Sequence, residues 1–216
     1  CSLERVTFQN SLEVIREYQF RGCSSLKEIS IPTSLKKIGC FAFCGCSSLE
    51  KIVIPPNLTE IECNAFYNCI SLTHVEIPPS VTSIKSNAFE GCKSLCEVSL
   101  NCSVKLIENY VFYGCALRKI TIPSSVAKIG NSSFANCTSL VEINIPSSVE
   151  EIGNFSFYGC SSLEEIEIPF SVRMIGKYAF ANCSMLKKIL IPSSVKLIGN
   201  FAFYGCKSDE LSENVD

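Results

Sequence analysis

Apolar residues recur along this chain at eight fixed places in a unit of 23 residues, with polar residues between them. The unit from Leu163 to Cys183 shows the set as Leu163, Ile166, Ile168, Val172, Ile175, Ala179, Phe180 and Cys183. Nine units begin at Leu3, Leu26, Leu49, Leu72, Leu95, Leu117, Leu140, Leu163 and Leu186, and they leave no room for a second domain. One step is shorter, because Cys115-Ala116-Leu117 lacks a residue of the usual Cys-Ser-Ser-Leu; Cys1-Ser2-Leu3 shows the same contraction.

Within each unit, Leu-x-x-Ile-x-Ile alternates apolar and polar positions and is β-branched, which predicts a short strand with one buried face. Proline follows in seven of the nine units and ends the strand, since it cannot donate to a ladder. The next stretch, Val-x-x-Ile-Gly, predicts a second extended piece closed by glycine. Ala-Phe-x-x-Cys places Phe and Cys three apart, the spacing of one helical face, and predicts a single helical turn.

No unit alone can bury eight apolar positions, so the units must stack into a solenoid with a continuous core. Parallel strands repeat at about 4.8 Å, whereas packed helical axes need about 8–10 Å. That mismatch bends the stack. The expected fold is an α/β repeat solenoid, a curved right-handed stack with a parallel concave sheet and short helical turns on the convex side. It occupies residues 1–206, and residues 207–216 form an acidic, frayed tail.

The run Ile191-Pro192-Ser193-Ser194-Val195-x-x-Ile198-Gly199-x-x-Ala202-Phe203-x-x-Cys206 resembles the leucine-rich repeats of the BspA-like type, known from surface proteins of host-associated bacteria and parasitic protists. The resemblance covers nearly the whole chain. It implies a surface antigen or adhesin that binds proteins, a host or extracellular-matrix protein among them. Departures from the pattern are Asn101 in place of proline, and Phe8-Gln9 and Gln19 in the first unit. That unit is either a divergent first repeat or the cut edge of a longer array.

Composition narrows the function. Of 216 residues, 47% are apolar and 19% charged, which excludes a disordered chain. A net charge of −2 argues against nucleic-acid binding. No apolar run approaches the roughly 20 residues of a spanning helix, so this segment inserts in no membrane. One histidine and no tryptophan leave little for acid–base chemistry, and no catalytic residue, cofactor or metal is assigned.

Fifteen cysteines are an odd number, so one thiol at least is outside any intramolecular disulfide. Ten of them (Cys1, Cys23, Cys46, Cys69, Cys92, Cys115, Cys137, Cys160, Cys183 and Cys206) hold one position of the repeat. A thiol in every unit reads as a packing column, each sulfur a small hydrophobe against phenylalanine. Cys40 and Cys63 share another column, where a disulfide needs Cα atoms within about 7 Å. With Cys44 they could cluster, but Tyr67 stands where a fourth zinc ligand would. Cys96 and Cys102 flank one strand and are too far apart to bond each other. Unpaired thiols are the favoured reading. A Cys96–His74 nucleophilic pair has no orienting group.

The concave sheet carries alternating charge. Its third column runs Arg5, Glu28, Lys51, His74, Glu97, Lys119, Glu142, Glu165, Lys188, and Val53, Glu76, Asn144, Glu167 and Leu190 point from the same face. The column serves either to fix strand register or as a protein-binding surface, with Val53, His74, Glu76, Glu97, Lys119, Asn144, Glu165, Glu167, Lys188 and Leu190 as candidate contacts. The second candidate is an aromatic stripe on the helical side: Tyr67, Tyr110, Tyr113, Phe155, Tyr158, Tyr178, Phe201 and Tyr204. It shields the inner phenylalanines or mediates contact. Sequons begin at Asn57, Asn101, Asn131, Asn136, Asn154 and Asn182, but two of them follow from the repeat itself. The expectation is a non-enzymatic recognition module at the cell surface or secreted. Its alternative is a cytoplasmic interaction scaffold with reduced cysteines.

Overall fold

The computed structural model describes residues 2–8 and 11–207; Cys1, Gln9 and the tail from Ser208 onward lie outside the described residues. Each unit contributes two short strands, numbered along the chain. The first strands are β1 (Arg5–Thr7), β3 (Glu28–Ser30), β5 (Lys51–Ile52), β7 (His74–Ile77), β9 (Glu97–Leu100), β11 (Lys119–Thr121), β13 (Glu142–Asn144), β15 (Glu165–Glu167) and β17 (Lys188–Leu190). The second strands are β2 (Val14–Ile15), β4 (Lys37–Ile38), β6 (Glu60–Ile61), β8 (Ser83–Ile84), β10 (Leu106–Ile107), β12 (Lys128–Ile129), β14 (Glu151–Ile152), β16 (Met174–Ile175) and β18 (Leu197–Ile198).

Odd and even strands form separate parallel sheets on two sides of each coil, both as the alternation requires. Each residue pairs with its equivalent one unit on, as in Ile29↔Ile52 and Ile15↔Ile38. The odd series has a seven-stranded part from β1 to β13 and a pair β15–β17; the even series divides between β8 and β10. The first interruption falls where Glu142 and Glu165 follow one another, the like-charged step of the column, and like charges directly opposite disfavour pairing. The second falls in the fifth unit, where Asn101-Cys102 replaces the usual Pro-Ser.

Among the described residues the third side is not helical and every regular element is a strand, so the fold is a parallel β-solenoid and not the expected α/β one. Every coil holds two residues there in the left-handed region. The first is Tyr18, Phe41, Asn64, Asn87, Tyr110, Ser132, Phe155, Tyr178 or Phe201, with φ between 53° and 62°. The second, four residues on, is glycine or asparagine, such as Gly45 or Asn68. Two left-handed residues in five cannot propagate a right-handed helix. Instead the N–H groups alternate their targets. Tyr18, Phe20 and Gly22 donate across to the carbonyls of Cys40, Ala42 and Cys44 in the next coil, while Arg21 and Cys23 donate back three residues. The turns are therefore laced to one another at coil spacing, and the wide helical packing that was to bend the stack is not there.

The inward positions meet in one core. Phe43, Phe66, Phe89, Phe112, Phe134, Phe157 and Phe180 are fully buried. Their rings stack face to face from Phe20 to Phe203, at centroid separations from 5.1 to 5.8 Å. The P-x-S-V serines stitch neighbouring coils: Ser148 and Ser171 each donate to a valine carbonyl of the preceding coil at 2.6 Å. Glycine closes five of the even strands, where the coils touch; a Cβ on Gly176 would sit 2.5 Å from the backbone nitrogen of Asn154.

Phe157→Ala removes a ring from the middle of the stack, and we expect a loss of about 3–5 kcal/mol in chemical denaturation. A loss below about 1 kcal/mol would mean that the column is not core.

Candidate functional site

The strand face of the odd series presents the expected columns in register. Arg5 pairs with Glu28 at 2.8 Å and Lys119 with Glu142 at 2.6 Å, both exposed. Lys27–Glu4 and Lys187–Glu164 repeat the pattern one column over. His74 lies between Lys51 and Glu97, as expected, with Nδ1 3.5 Å from the Glu97 carboxylate. The Cys96 thiol is directed to the Thr73 carbonyl, 3.6 Å away. Exposed pairs of this kind contribute about 0–1 kcal/mol each, so they set register more than stability.

Apolar exposure on this face is confined to a few places. Val53 is 78% exposed and separates two shallow hollows, one bounded by Lys27, Glu28, Glu50 and Lys51, the other by His74, Glu76 and Pro78. Leu190 borders a hollow of about 250 Å³ with Ile191, Pro192 and Phe170. Phe170 is 76% exposed and was not foreseen. Its signal was in the sequence: the equivalent place holds Thr33, Ser124, Ser147 and Ser193 in other units. Asn144 and Glu167 line a further hollow across the interrupted step from β13 to β15.

A second charged ladder, on the even strands, also went unread. Lys37 reaches Glu60 at 2.8 Å and Glu62 at 2.5 Å, Lys128 reaches Glu151 at 2.5 Å, and Lys85 lies 3.9 Å from Glu108. Opposite charges one unit apart were its signal. The Lys37 hydrogen bond holds the Glu62 carboxyl below the usual carboxylate range, against the effect of burial. The same contacts, to Glu60 first, raise the Lys37 ammonium.

The aromatic stripe is broken into segments. Tyr18 stacks on Phe41 at 5.2 Å, and Phe155, Tyr178 and Phe201 stack in sequence at 4.9 and 5.1 Å. Tyr110–Tyr113, Phe155–Tyr158 and Phe201–Tyr204 meet within their own coils at 5.9, 5.8 and 6.1 Å. Asn136 and Asn182, which carried no assignment beyond their sequons, donate to the hydroxyls of Tyr113 and Tyr158. Asn131 and Asn154 accept backbone N–H bonds from the next coil. Tyr67 stands apart from these pairs, in a coil whose left-handed residue is Asn64.

None of the fourteen described cysteines is in a disulfide. Among the described residues no group of three or more His, Cys, Asp or Glu is placed to hold a metal. Also among them, no helix is long and apolar enough to cross a membrane. The thiol column is more than packing. Cys46, Cys69, Cys92, Cys115, Cys137, Cys160, Cys183 and Cys206 each donate Sγ–H to the carbonyl of a phenylalanine 26 or 25 residues earlier, at 3.1 to 3.2 Å. Burial pushes the Cys46, Cys92 and Cys137 thiols up to about 12. Cys40, Cys44 and Cys63 are half-buried and Cys96 is exposed.

These features define a leucine-rich-repeat solenoid with an open strand face, a fold of recognition-module type. The family model described as the BspA type leucine rich repeat region matches residues 1–117 and 105–213, and the chain belongs to that family. A leucine-rich cell surface protein of Faecalibacterium prausnitzii A2-165 is 26% identical; the match covers 95% of this chain and 80% of that one, at a TM-score of 0.60. The pneumococcal vaccine antigen PcpA (24% identity, 97% and 70% covered, TM-score 0.55) shares the fold. So does a leucine-rich repeat protein of Eubacterium ventriosum ATCC 27560 (20% identity, 99% and 86% covered, TM-score 0.54). No curated protein matches the chain.

Two predictions follow from protonation. In the native state a thiol reagent should modify Cys96 fastest and the half-buried Cys40, Cys44, Cys63 and Cys206 more slowly, while the buried column thiols from Cys46 to Cys183 react only on unfolding. Rapid native labelling of Cys92 or Cys137, read by peptide mass, would contradict the ladder. Glu62 has a depressed folded pKa, so its contribution is present above the unfolded value of about 4.3 and is lost as pH falls through the folded one. Glu62→Gln should therefore flatten the fall of unfolding free energy below about pH 4.5, relative to the parent chain. Equal slopes would show that the pair with Lys37 is not formed.

Proposed function

We propose that this chain is a non-enzymatic protein-recognition module of a cell-surface or secreted protein, and that it binds its partner through the strand face of the odd series. The observation that carries the reading is the exposure of Val53 and Leu190, with Val141 one column over and Phe170 in the adjoining turn, among the charged columns of that face. Apolar side chains beside shallow hollows, rimmed by charge, have the anatomy of an interface core and its polar rim. The ladder supplies a rigid frame, so little order need be lost on binding. The surface location is supported by the family and by the Faecalibacterium relative, whose name describes a cell surface protein.

The free thiols favour a second reading, an intracellular scaffold, because oxidising compartments consume accessible thiols. That argument weighs less than the cysteine count suggests. From Cys46 to Cys160 the column thiols are buried, hydrogen-bonded and raised by burial above the usual thiol range, and a protonated thiol is not the reacting species. Impermeant biotinylation of intact source cells separates the two readings: labelling supports the first, and protection until lysis supports the scaffold.

The binding face is tested with a panel of immobilised extracellular-matrix proteins. Val53→Glu and Leu190→Glu should each weaken the retained interaction about tenfold or more, as for a core contact, while Tyr204→Ser leaves it unchanged. The reverse pattern would move recognition to the aromatic stripe.

A further inference from the structure

The sixth coil interrupts the aromatic stripe in a particular way. Ser132 and Ala135 occupy the two places where the coils on either side carry Tyr110 with Tyr113 and Phe155 with Tyr158. Both small residues are buried, and above them opens a notch of about 630 Å³ lined by those four rings together with Tyr178 and Asn136. The inner rings of the same three coils repeat at 5.6 and 5.4 Å, so the walls stand two such steps apart, and within each wall the two rings are inclined to one another, by 51° and 60°.

That separation selects a ligand. A flat ring in contact with both walls needs about 3.5–4.0 Å on each side, well short of the gap. A tetrahedral ammonium can lie within about 6 Å of a ring centroid on each side at once. The ring faces carry the negative side of the aromatic quadrupole and attract a cation of that kind. The same columns already do so, once away from the notch and once at its edge, where Tyr178 belongs to the lining. The Arg21 guanidinium lies over Tyr18 at 5.4 Å and Phe41 at 5.8 Å, and the Lys177 ammonium lies over Tyr178 at 5.2 Å. Among the described residues no cation lies over the four walls. The walls are held in place, since Asn136 fixes the Tyr113 hydroxyl at 2.8 Å and Asn182 that of Tyr158 at 3.0 Å.

We propose that the notch over Ser132 and Ala135 binds a quaternary ammonium group, sandwiched between the Tyr110–Tyr113 and Phe155–Tyr158 walls. Such a group reaches the notch either as a small molecule with a trimethylammonium head or as a trimethylated lysine of a protein. The site is independent of the strand face and does not rest on the function proposed for it.

The test is a titration of the folded chain with choline, with its uncharged isostere 3,3-dimethylbutan-1-ol and with a peptide bearing trimethyl-lysine, read by tyrosine fluorescence and by ring-proton shifts. Choline should saturate the signal, and the neutral alcohol should bind about fivefold more weakly or worse, the share of a cation–π contact. Tighter binding of the peptide than of choline would assign the protein source, and the converse order the small molecule. Ser132→Phe should abolish binding while preserving the fold, because Phe155 and Phe201 occupy the equivalent left-handed place in other coils. Tyr158→Leu, which only opens one wall, should weaken choline severalfold and keeps the test intact if the first variant misfolds. Equal affinity for choline and the alcohol, unchanged binding in both variants, or no saturable binding of choline and peptide would overturn the proposal.

Discussion

The coil-to-coil step governs this molecule. A parallel ladder fixes neighbouring strands about 4.8 Å apart, and whatever lies on the other sides of a coil must repeat at nearly the same distance. The phenylalanine rings comply at 5.1 to 5.8 Å, close to face-to-face contact. A helix does not comply, since side-by-side helices need about 8–10 Å. The third side is therefore built of turns whose N–H groups reach across to the next coil. Holding Phe155 or Tyr178 at positive φ costs on the order of 1 kcal/mol or more. Ring stacking of the two at 4.9 Å offsets that cost, by about 0.5–1.5 kcal/mol per aromatic pair. Where the ring is absent, Asn64 and Asn87 tolerate the same conformation more readily.

The same constraint explains the cysteines. In the turn, the carbonyl of Phe20 points inward and accepts the N–H of Cys23; the Cys46 thiol of the next coil is its second donor. Valine or alanine would fill part of the space and leave that lone pair unanswered in a buried place. Cysteine provides an apolar body and a weak donor together. A residue type that looked like a redox signature is thus a backbone-satisfying one. Among the described residues the accessible thiols are Cys40, Cys44, Cys63 and Cys96, outside the column, and the half-buried Cys206 at its end.

The two strands of each unit, the stacking, the buried columns and the neighbours of His74 were all legible in the sequence, because period-2 patterning and exact repetition leave a single register. The turn side was misread for a physical reason. Phe and Cys three apart satisfy a helical turn and an i−3 hydrogen-bonded turn equally well, so their spacing does not discriminate. The discriminating signal was the residue before each cysteine, which runs Gly22, Gly45, Asn68, Gly91, Gly114, Asn136, Gly159, Asn182, Gly205. A column of only glycine and asparagine is the mark of positive φ. Phe170 and the Lys37–Glu62 network lie outside the columns of the odd strands, and both stand out once every column is compared.

In a repeat array the useful information about binding lies in departures from the columns. A position that stacks on its neighbours is held by them: changing Phe134 disturbs Phe112 and Phe157 alike. Such positions keep one residue type for reasons of packing and say little about partners. A surface column is under less demand, so an apolar residue where polar ones are usual, or a small residue where aromatics are usual, alters exposed chemistry without disturbing the ladder. Phe170, Val53 and Leu190 are departures of the first kind, each adding apolar surface to a polar face. Ser132 and Ala135 are of the second kind, removing rings and so uncovering the faces of those on either side. The solenoid supplies an even background against which single substitutions become sites, and its repetition makes those sites rigid at no further structural cost.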